Sequence, residues 1–268
     1  MSVTDNELTI IVPTHDSYID VFAIFIQLFK KYWPDCPYRL ILSCNTFTPA
    51  EGQFDGVEVL NNGEDCQITG RIYNAAKCYP SKYYLVLLED MFFEKPVDSA
   101  EFAVLLKDID ERAVSYCRLM PAKSGKKTKF VYPSKAQPYA ISLMAFICDD
   151  KFVQDNFKQN MSGWAYEGIQ LKNTLDHSKK ELFENAVICS GNPLNLIHGI
   201  SKGKWIRKSY KKIKKHNGEI NLAGREKLSV GATVKSNISS CSRILSPKQR
   251  IKLKRFLRKL GFKFTTDY

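Results

Sequence analysis

The sequence predicts an α/β fold: a single domain with a mostly parallel, mixed sheet flanked by helices, followed by a basic helical extension. Three observations carry this. Short apolar runs alternate with longer stretches of helical period through the first ninety or so residues. One run, Tyr83–Leu88 (YYLVLL), is apolar without a break, as befits a central strand covered on both faces. Charge is divided unevenly. The whole chain of 268 residues carries 40 Lys+Arg against 28 Asp+Glu, a net +12, but residues 201–268 hold 20 Lys+Arg and 3 Asp+Glu. A mildly acidic body at 1–200 therefore precedes a strongly basic segment at 201–268, and any argument about a polyanionic partner belongs to that segment.

Leu8–Pro13 (LTIIVP) reads as a buried strand rich in β-branched residues. Ile19–Trp33 has apolar residues at 21, 22, 25, 26, 28 and 29, the period of a helix, and Pro34 closes it. Tyr38–Cys44 is a second strand and Val57–Leu60 a short third. Cys66–Cys78 is a helix with Ile68, Ile72, Ala75 and Ala76 on one side, and Tyr83–Leu88 is the fourth strand. Beyond it, Ala113–Arg118 and Tyr139–Cys148 read as strands separated by a loop containing Lys123–Lys129, and residues 150–160 and 165–176 as helices.

In an open parallel sheet, ligands bind beyond the carboxyl ends of the strands. The first strand here ends in Pro13-Thr14-His15-Asp16, the second in Ser43-Cys44-Asn45-Thr46, the third in Asn61-Asn62-Gly63 and the fourth in Glu89-Asp90. Each instance alone is ordinary turn chemistry; four on one edge point to a site. Two adjacent carboxylates repel unless a cation is shared, and a hard divalent ion, Mg²⁺ or Mn²⁺, binds through one or two carboxylates plus substrate phosphates. The competing reading has one acid capping a turn and the other solvated.

Several classes are excluded or disfavoured. There is no Gly-x-Gly-x-x-Gly, no Walker A pattern and no Gly-x-Ser-x-Gly. The eight cysteines are scattered without a Cys-x-x-Cys, which argues for buried thiols over zinc or disulfides. Met1 to Glu7 carries two acids and no cationic leader pattern, so a cytosolic protein is expected.

These residues resemble nucleotide-sugar glycosyltransferases of the GT-A fold, family-2-like and of the bacterial surface-polysaccharide type. IIVPTHD resembles their opening strand and turn. Gly70–Ala76 leading into Tyr83–Asp90 resembles their helix before the acidic strand end, and Glu89-Asp90-Met91-Phe92 their Asp-x-Asp element. Trp164-Ala165-Tyr166-Glu167 resembles a later W-x-x-E element, and Asn195–Trp205 a closing segment in which a His reaches metal or diphosphate. One departure is that Phe92 stands where an Asp-x-Asp counted from Asp90 would carry its second acid. Either Glu89-Asp90 serves as the pair, or dependence on metal is weakened.

The resemblance implies a GT-A-like catalytic domain at 1–200. It implies a divalent cation on Asp90 and His198 that stabilises a departing diphosphate, and donor contacts from Pro13, Thr14, Asp16, Asn45, Asn62, Arg71, Glu89 and Asp90. Glu167 becomes the candidate base toward the acceptor hydroxyl, with Trp164 and Tyr166 as sugar platforms. Glu167 is equally a first-turn acid favoured by the helix dipole. The partners implied are a nucleoside diphosphate sugar and a saccharide or lipid-linked acceptor.

In the basic segment, Ser246-Pro247-Lys248-Gln249 is a helix start, and Leu253, Phe256, Leu257 and Leu260 fall on one side with cations around the rest. Lys202–Lys215 interleaves further cations with Trp205, Ile206, Tyr210 and Ile213. Such a surface, residues 202–264, suits an anionic membrane and a peripheral position on its cytoplasmic face. Nucleic acid is not expected as a partner, because the body is acidic and the aromatics follow helical spacing. A nucleic-acid-binding protein and a GT-A-like subunit without catalysis are the competing readings.

Overall fold

The computed structural model describes residues 7–120, 130–131, 139–176, 179–222 and 224–232. The helix expected from Ser246 and the loop Lys123–Lys129 lie outside the described residues.

The first half of the chain follows the expected order: β1 (Leu8–Pro13), α1 (Ile19–Tyr32), β2 (Arg39–Cys44), β3 (Glu58–Asn61), α2 (Ile68–Cys78) and β4 (Tyr83–Val86). Then come β5 (Met91–Phe93), α3 (Ser99–Glu111), β6 (Tyr116–Arg118), β7 (Phe130–Val131), β8 (Phe146–Asp149), α4 (Asp150–Asn156), α5 (Gly163–Leu175), α6 (Glu181–Glu184), β9 (Ala186–Cys189), β10 (Leu196–His198), β11 (Ile200–Ser201), β12 (Lys204–Trp205) and α7 (Arg207–His216).

Among the described residues the main sheet runs β3-β2-β1-β4-β8-β6-β9-β7. Neighbours from β3 to β4 are parallel; β8 is antiparallel to both β4 and β6, and β6 is parallel to β9. The carboxyl ends of β1, β2, β4, β6 and β9 therefore share one edge.

Both faces are covered, and the strand alternation shows it. Ile10, Val12, Leu40, Leu42 and Leu85 join one cluster with Phe22, Phe25 and Phe29 of α1 and Phe102, Leu105 and Ile109 of α3. Ile11, Ile41, Tyr84 and Val86 join the other with Ile72, Ala75 and Ala76 of α2, Phe152 of α4 and Tyr166 of α5. Each fully buried side chain of this kind contributes on the order of 1.5–3 kcal/mol, before the entropy of ordering it.

Four features depart from expectation. Helix α3 was not anticipated; Asp98 caps it by accepting from the Glu101 amide, and its buried face is Phe102, Leu105, Leu106 and Ile109. The strand expected at Tyr139–Cys148 begins only at Phe146, because residues 139–144 are held by side chains: Tyr116 Oη donates to the Ser142 carbonyl at 2.7 Å and accepts from the Ser142 amide at 3.1 Å. The helix expected over 150–160 stops at Asn156. Finally, the boundary expected at residue 200 falls within strand β11, and Trp205, Ile213, Ile220 and Leu222 belong to the same core as α1.

Candidate functional site

At the end of β1 the chain enters a short turn, Asp16–Tyr18, before α1. Asp16 faces the β2 loop: Oδ1 accepts from the Asn45 amide, and Oδ2 from the Thr46 amide and hydroxyl, all at 2.8–2.9 Å. Burial opposes ionisation, but these bonds win and hold the Asp16 carboxyl below its ordinary value.

The Asn45 side chain donates to the carbonyls of Gly63, Glu64 and Cys66 and accepts from Arg71 at 2.9 Å. Asn62 donates to Ser43 Oγ and to the Cys44 and Leu60 carbonyls. Arg71 is buried; its Nη1 also donates to the Cys66 carbonyl at 2.7 Å. These expected donor contacts bond mainly to the turns themselves, while Asn62 Oδ1 and Arg71 Nε have no partner among the described residues. Pro13 and Thr14 are buried, and Thr14 Oγ1 has no partner among the described residues.

The end of β4 differs. Glu89 and Asp90 follow the buried Leu85–Leu87, and Asp90 Oδ1 is buried with no hydrogen-bond partner among the described residues. Glu89 is half-buried, and protein crowds its carboxyl. That enclosure, then the neighbouring Asp90 charge, pushes it up to about 8.

His198 arrives from far along the chain. Strand β10 pairs antiparallel with β5, His198 opposite Met91, and the Gly199 amide donates to the Asp90 carbonyl at 2.8 Å. His198 Nε2 lies 3.0 Å from Asp90 Oδ2, and Ser209 Oγ donates to the His198 carbonyl at 2.7 Å. Burial opposes the charged imidazole, but the Asp90 contact raises its affinity for a proton.

Phe92 points away from this edge. It is wholly buried, stacked on Trp205 at 5.3 Å between ring centres, and a Cβ on Gly199 would come within 2.1 Å of its ring. The second acid of an Asp-x-Asp counted from Asp90 would thus sit in the core, so the pair on this edge is Glu89-Asp90. No three His, Cys, Asp or Glu side chains gather as a metal cage among the described residues. A carboxylate with an unpartnered buried oxygen beside an imidazole nevertheless fits a hard cation whose remaining ligands are phosphate oxygens.

Further along the edge, Glu167 lies in the second turn of α5, whose Ser162 caps it by accepting from the Ala165 amide. Glu167 Oε1 accepts from the Leu143 amide at 3.2 Å. Arg118, at the end of β6, is buried, donates to the Tyr139 carbonyl and is near enough to Glu167 to feel its charge. Trp164 is 85% exposed. Tyr166, expected as a second platform, corrects that expectation: it is turned into the core, 5.0 Å from Phe157, and offers no face to a sugar. The inward face it shares is otherwise polar, Gln170 and Thr174, while the apolar Trp164 and Ile169 point outward, so hydropathy alone does not mark it as core.

Sequence reasoning missed Arg118 and Arg225. Arg118 carries no local motif, and Arg225 is hidden among the many cations of the basic segment.

No family model matches the sequence, and no curated protein sequence matches it. Solved structures do. TarS of S. aureus superposes with a TM-score of 0.50 at 15% identity, over 82% of this chain and 40% of TarS. The galactosyltransferase LgtC, solved with donor and acceptor sugar analogues, gives 0.40 at 11% identity, over 77% of this chain and 78% of LgtC. A cytidylyltransferase from Leptospira borgpetersenii gives 0.40 at 13% identity, over 82% and 98%. The chain spans about two fifths of the length of TarS. At such identities the likeness concerns architecture, and with the strand order above it makes this chain a GT-A-like α/β fold.

Proposed function

We propose that the protein is a glycosyltransferase that moves a sugar from a nucleoside diphosphate donor to a hydroxyl of a saccharide acceptor. The observation that carries this is the acid pair at the end of β4, with His198 3.0 Å from Asp90, on the ligand-binding edge of a GT-A-like sheet.

Asp90 and His198 would hold a Mg²⁺ or Mn²⁺ ion, with Glu89 beside them. Such an ion supplies positive charge against the diphosphate as it departs. The chain's own residues do the rest. The turns at the ends of β1 and β2 present small groups toward the nucleoside. Glu167 is the base: Oε1 is steadied by the Leu143 amide, and the other oxygen takes the proton of the acceptor hydroxyl as it attacks C1 of the sugar. The C1–oxygen bond to the diphosphate breaks in the same event, and its electron pair leaves with the phosphate. The exposed Trp164, one turn before Glu167, offers an aromatic face to the acceptor ring.

A lipid-linked acceptor accounts for the basic segment. Helix α7 buries Ser209 and Ile213 and turns Lys208, Lys211, Lys214 and Lys215 outward, a surface suited to anionic lipid on the cytoplasmic face. No helix among the described residues is long and apolar enough to cross a membrane. Vesicle sedimentation tests this part: binding should need anionic lipid and weaken with salt, and binding unchanged by deletion of 246–268 and by Lys208, Lys211, Lys214 and Lys215 to Ala would end it.

A thermal-shift screen of UDP, GDP and CDP with and without Mn²⁺ tests the donor site, since a ligand that binds only the folded state raises the melting temperature. A shift that needs Mn²⁺ and is lost in Asp90→Ala supports the reading. Glu167→Gln that releases diphosphate from a nucleotide-sugar panel at the wild-type rate removes the base assignment.

A further inference from the structure

Residues 224–228 return to the ligand-binding edge after α7. The Trp205 amide donates to the Glu226 carbonyl at 2.8 Å, and the Leu228 amide to the Trp205 carbonyl at 2.9 Å, so this stretch lies along β12. It delivers Arg225 to the turn that follows β1.

The guanidinium of Arg225 joins three separate segments. Nε donates to Asp20 Oδ2 at 2.6 Å and Nη2 to Asp20 Oδ1 at 2.7 Å, a bidentate fork onto the first turn of α1. Nη2 also donates to the Ser17 carbonyl at 2.6 Å, and Nη1 to the Gly203 carbonyl at 3.4 Å. Its Cζ lies 4.2 Å from the centre of the Tyr18 ring. The side chain is largely buried against a cleft of about 450 Å³ lined by Ser17, Asp20, Gly203 and Lys204. Ser17 and Tyr18 belong to the same turn as Asp16, whose carboxylate holds the Asn45–Thr46 loop. Arg225 is also near enough to Glu89 to act on its charge.

We infer that Arg225 is a positioning residue for the donor site: it clasps the turn after β1 from outside, so that Gly203, Lys204 and Gly224–Glu226 form one wall of that site. The inference rests on the donor site proposed above and adds a residue and a coupling to it. A clasp on a binding loop is reciprocal. If Arg225 stiffens the turn that receives the nucleotide, a bound nucleotide must in turn stiffen the segment that carries Arg225.

Calorimetric titration of UDP, GDP and CDP, each with Mn²⁺, into wild type, Arg225→Ala, Asp20→Ala, their double mutant and the swap Asp20→Arg/Arg225→Asp tests it. For whichever nucleotide wild type binds, each single variant should weaken the Kd by about tenfold. The double mutant should be no weaker than either, and the swap should recover part of the loss. Hydrogen exchange on wild type should show that nucleotide slowing the amides of 224–228, a readout that does not depend on any variant folding. Nucleotide affinity unchanged in both single variants, whatever their melting temperatures, overturns the inference and leaves the donor site standing. So does exchange at 224–228 indifferent to a nucleotide that binds. If wild type binds none of the three, the donor site fails, and this inference with it.

Discussion

The strand ends of β1 and β2 and the strand end of β4 lie on one edge and hold the same kinds of polar residue, yet they are built on opposite terms. At β1 and β2, Asp16, Asn45, Asn62 and Arg71 bond mainly to backbone and to one another, and the atoms without a partner among the described residues are Thr14 Oγ1, Asn62 Oδ1 and Arg71 Nε. At β4, two carboxylates share an enclosed corner, and one buried oxygen of Asp90 has no partner. The first arrangement stabilises turns. The second costs stability in the free protein and makes sense when a cation and a phosphate complete it. The unpartnered atoms thus differ in kind: a hydroxyl, an amide oxygen and a guanidinium nitrogen at β1 and β2, and a carboxylate oxygen beside a second carboxylate at β4.

The largest effect should come from trying to repair the motif. Phe92→Asp restores the Asp-x-Asp spacing on paper but puts a charge in a site filled by an aromatic ring against Trp205 and Gly199. It should destabilise by about 4 kcal/mol or more, read by urea denaturation, without strengthening Mn²⁺ binding. A soluble Phe92→Asp with tighter Mn²⁺ affinity would break the contrast.

Next, Asp90→Ala should cut turnover by roughly 10²–10³ while leaving the denaturation midpoint near wild type. Arg71→Met should do the reverse. It leaves Asn45 Oδ1 without its donor and takes one of two donors from the Cys66 carbonyl, at a cost of about 1–3 kcal/mol. If Asp90→Ala unfolds the protein and Arg71→Met does not, framework and chemistry have been assigned the wrong way round.

The smallest effect is pH-dependent. Asp16 has a lowered pKa in the fold, so its contribution is present above the unfolded value of a carboxyl, 3.8, and is lost as pH falls through the folded value. Asp16→Asn should therefore cost about 1–2 kcal/mol at pH 7 and progressively less as the pH is taken below 3.8. Equal costs at both ends of that range would show that the charge itself contributes nothing.

Much of this was legible in the sequence, for physical reasons that differ by region. Strand β1 and helix α1 were legible because burial on both faces, or on one stripe, imposes its period directly on the residues. The acid pair was legible because two adjacent carboxylates stand where the buried run YYLVLL emerges. Helix α3 was missed although Asp98 and Phe102, Leu105, Leu106 and Ile109 spell out a cap and a face. Tyr166 was misjudged because its neighbours Trp164 and Glu167 drew it toward chemistry, whereas its place on α5 puts it under Phe157. Segment 139–144 was illegible as a non-strand, because what holds it is Tyr116, distant in sequence. Arg225 was illegible for the same reason, since its partner Asp20 is 205 positions away.

The contact between Asp90 and His198 spans 108 positions of chain. Strands β1 to β4 pair with one another within the first ninety or so residues. The imidazole, the Gly199 close approach and the Arg225 clasp all come from the far end. The corner around Asp90 is therefore closed by parts of the chain more than a hundred positions apart, and a change at 198–225 reaches it as directly as one beside Asp90.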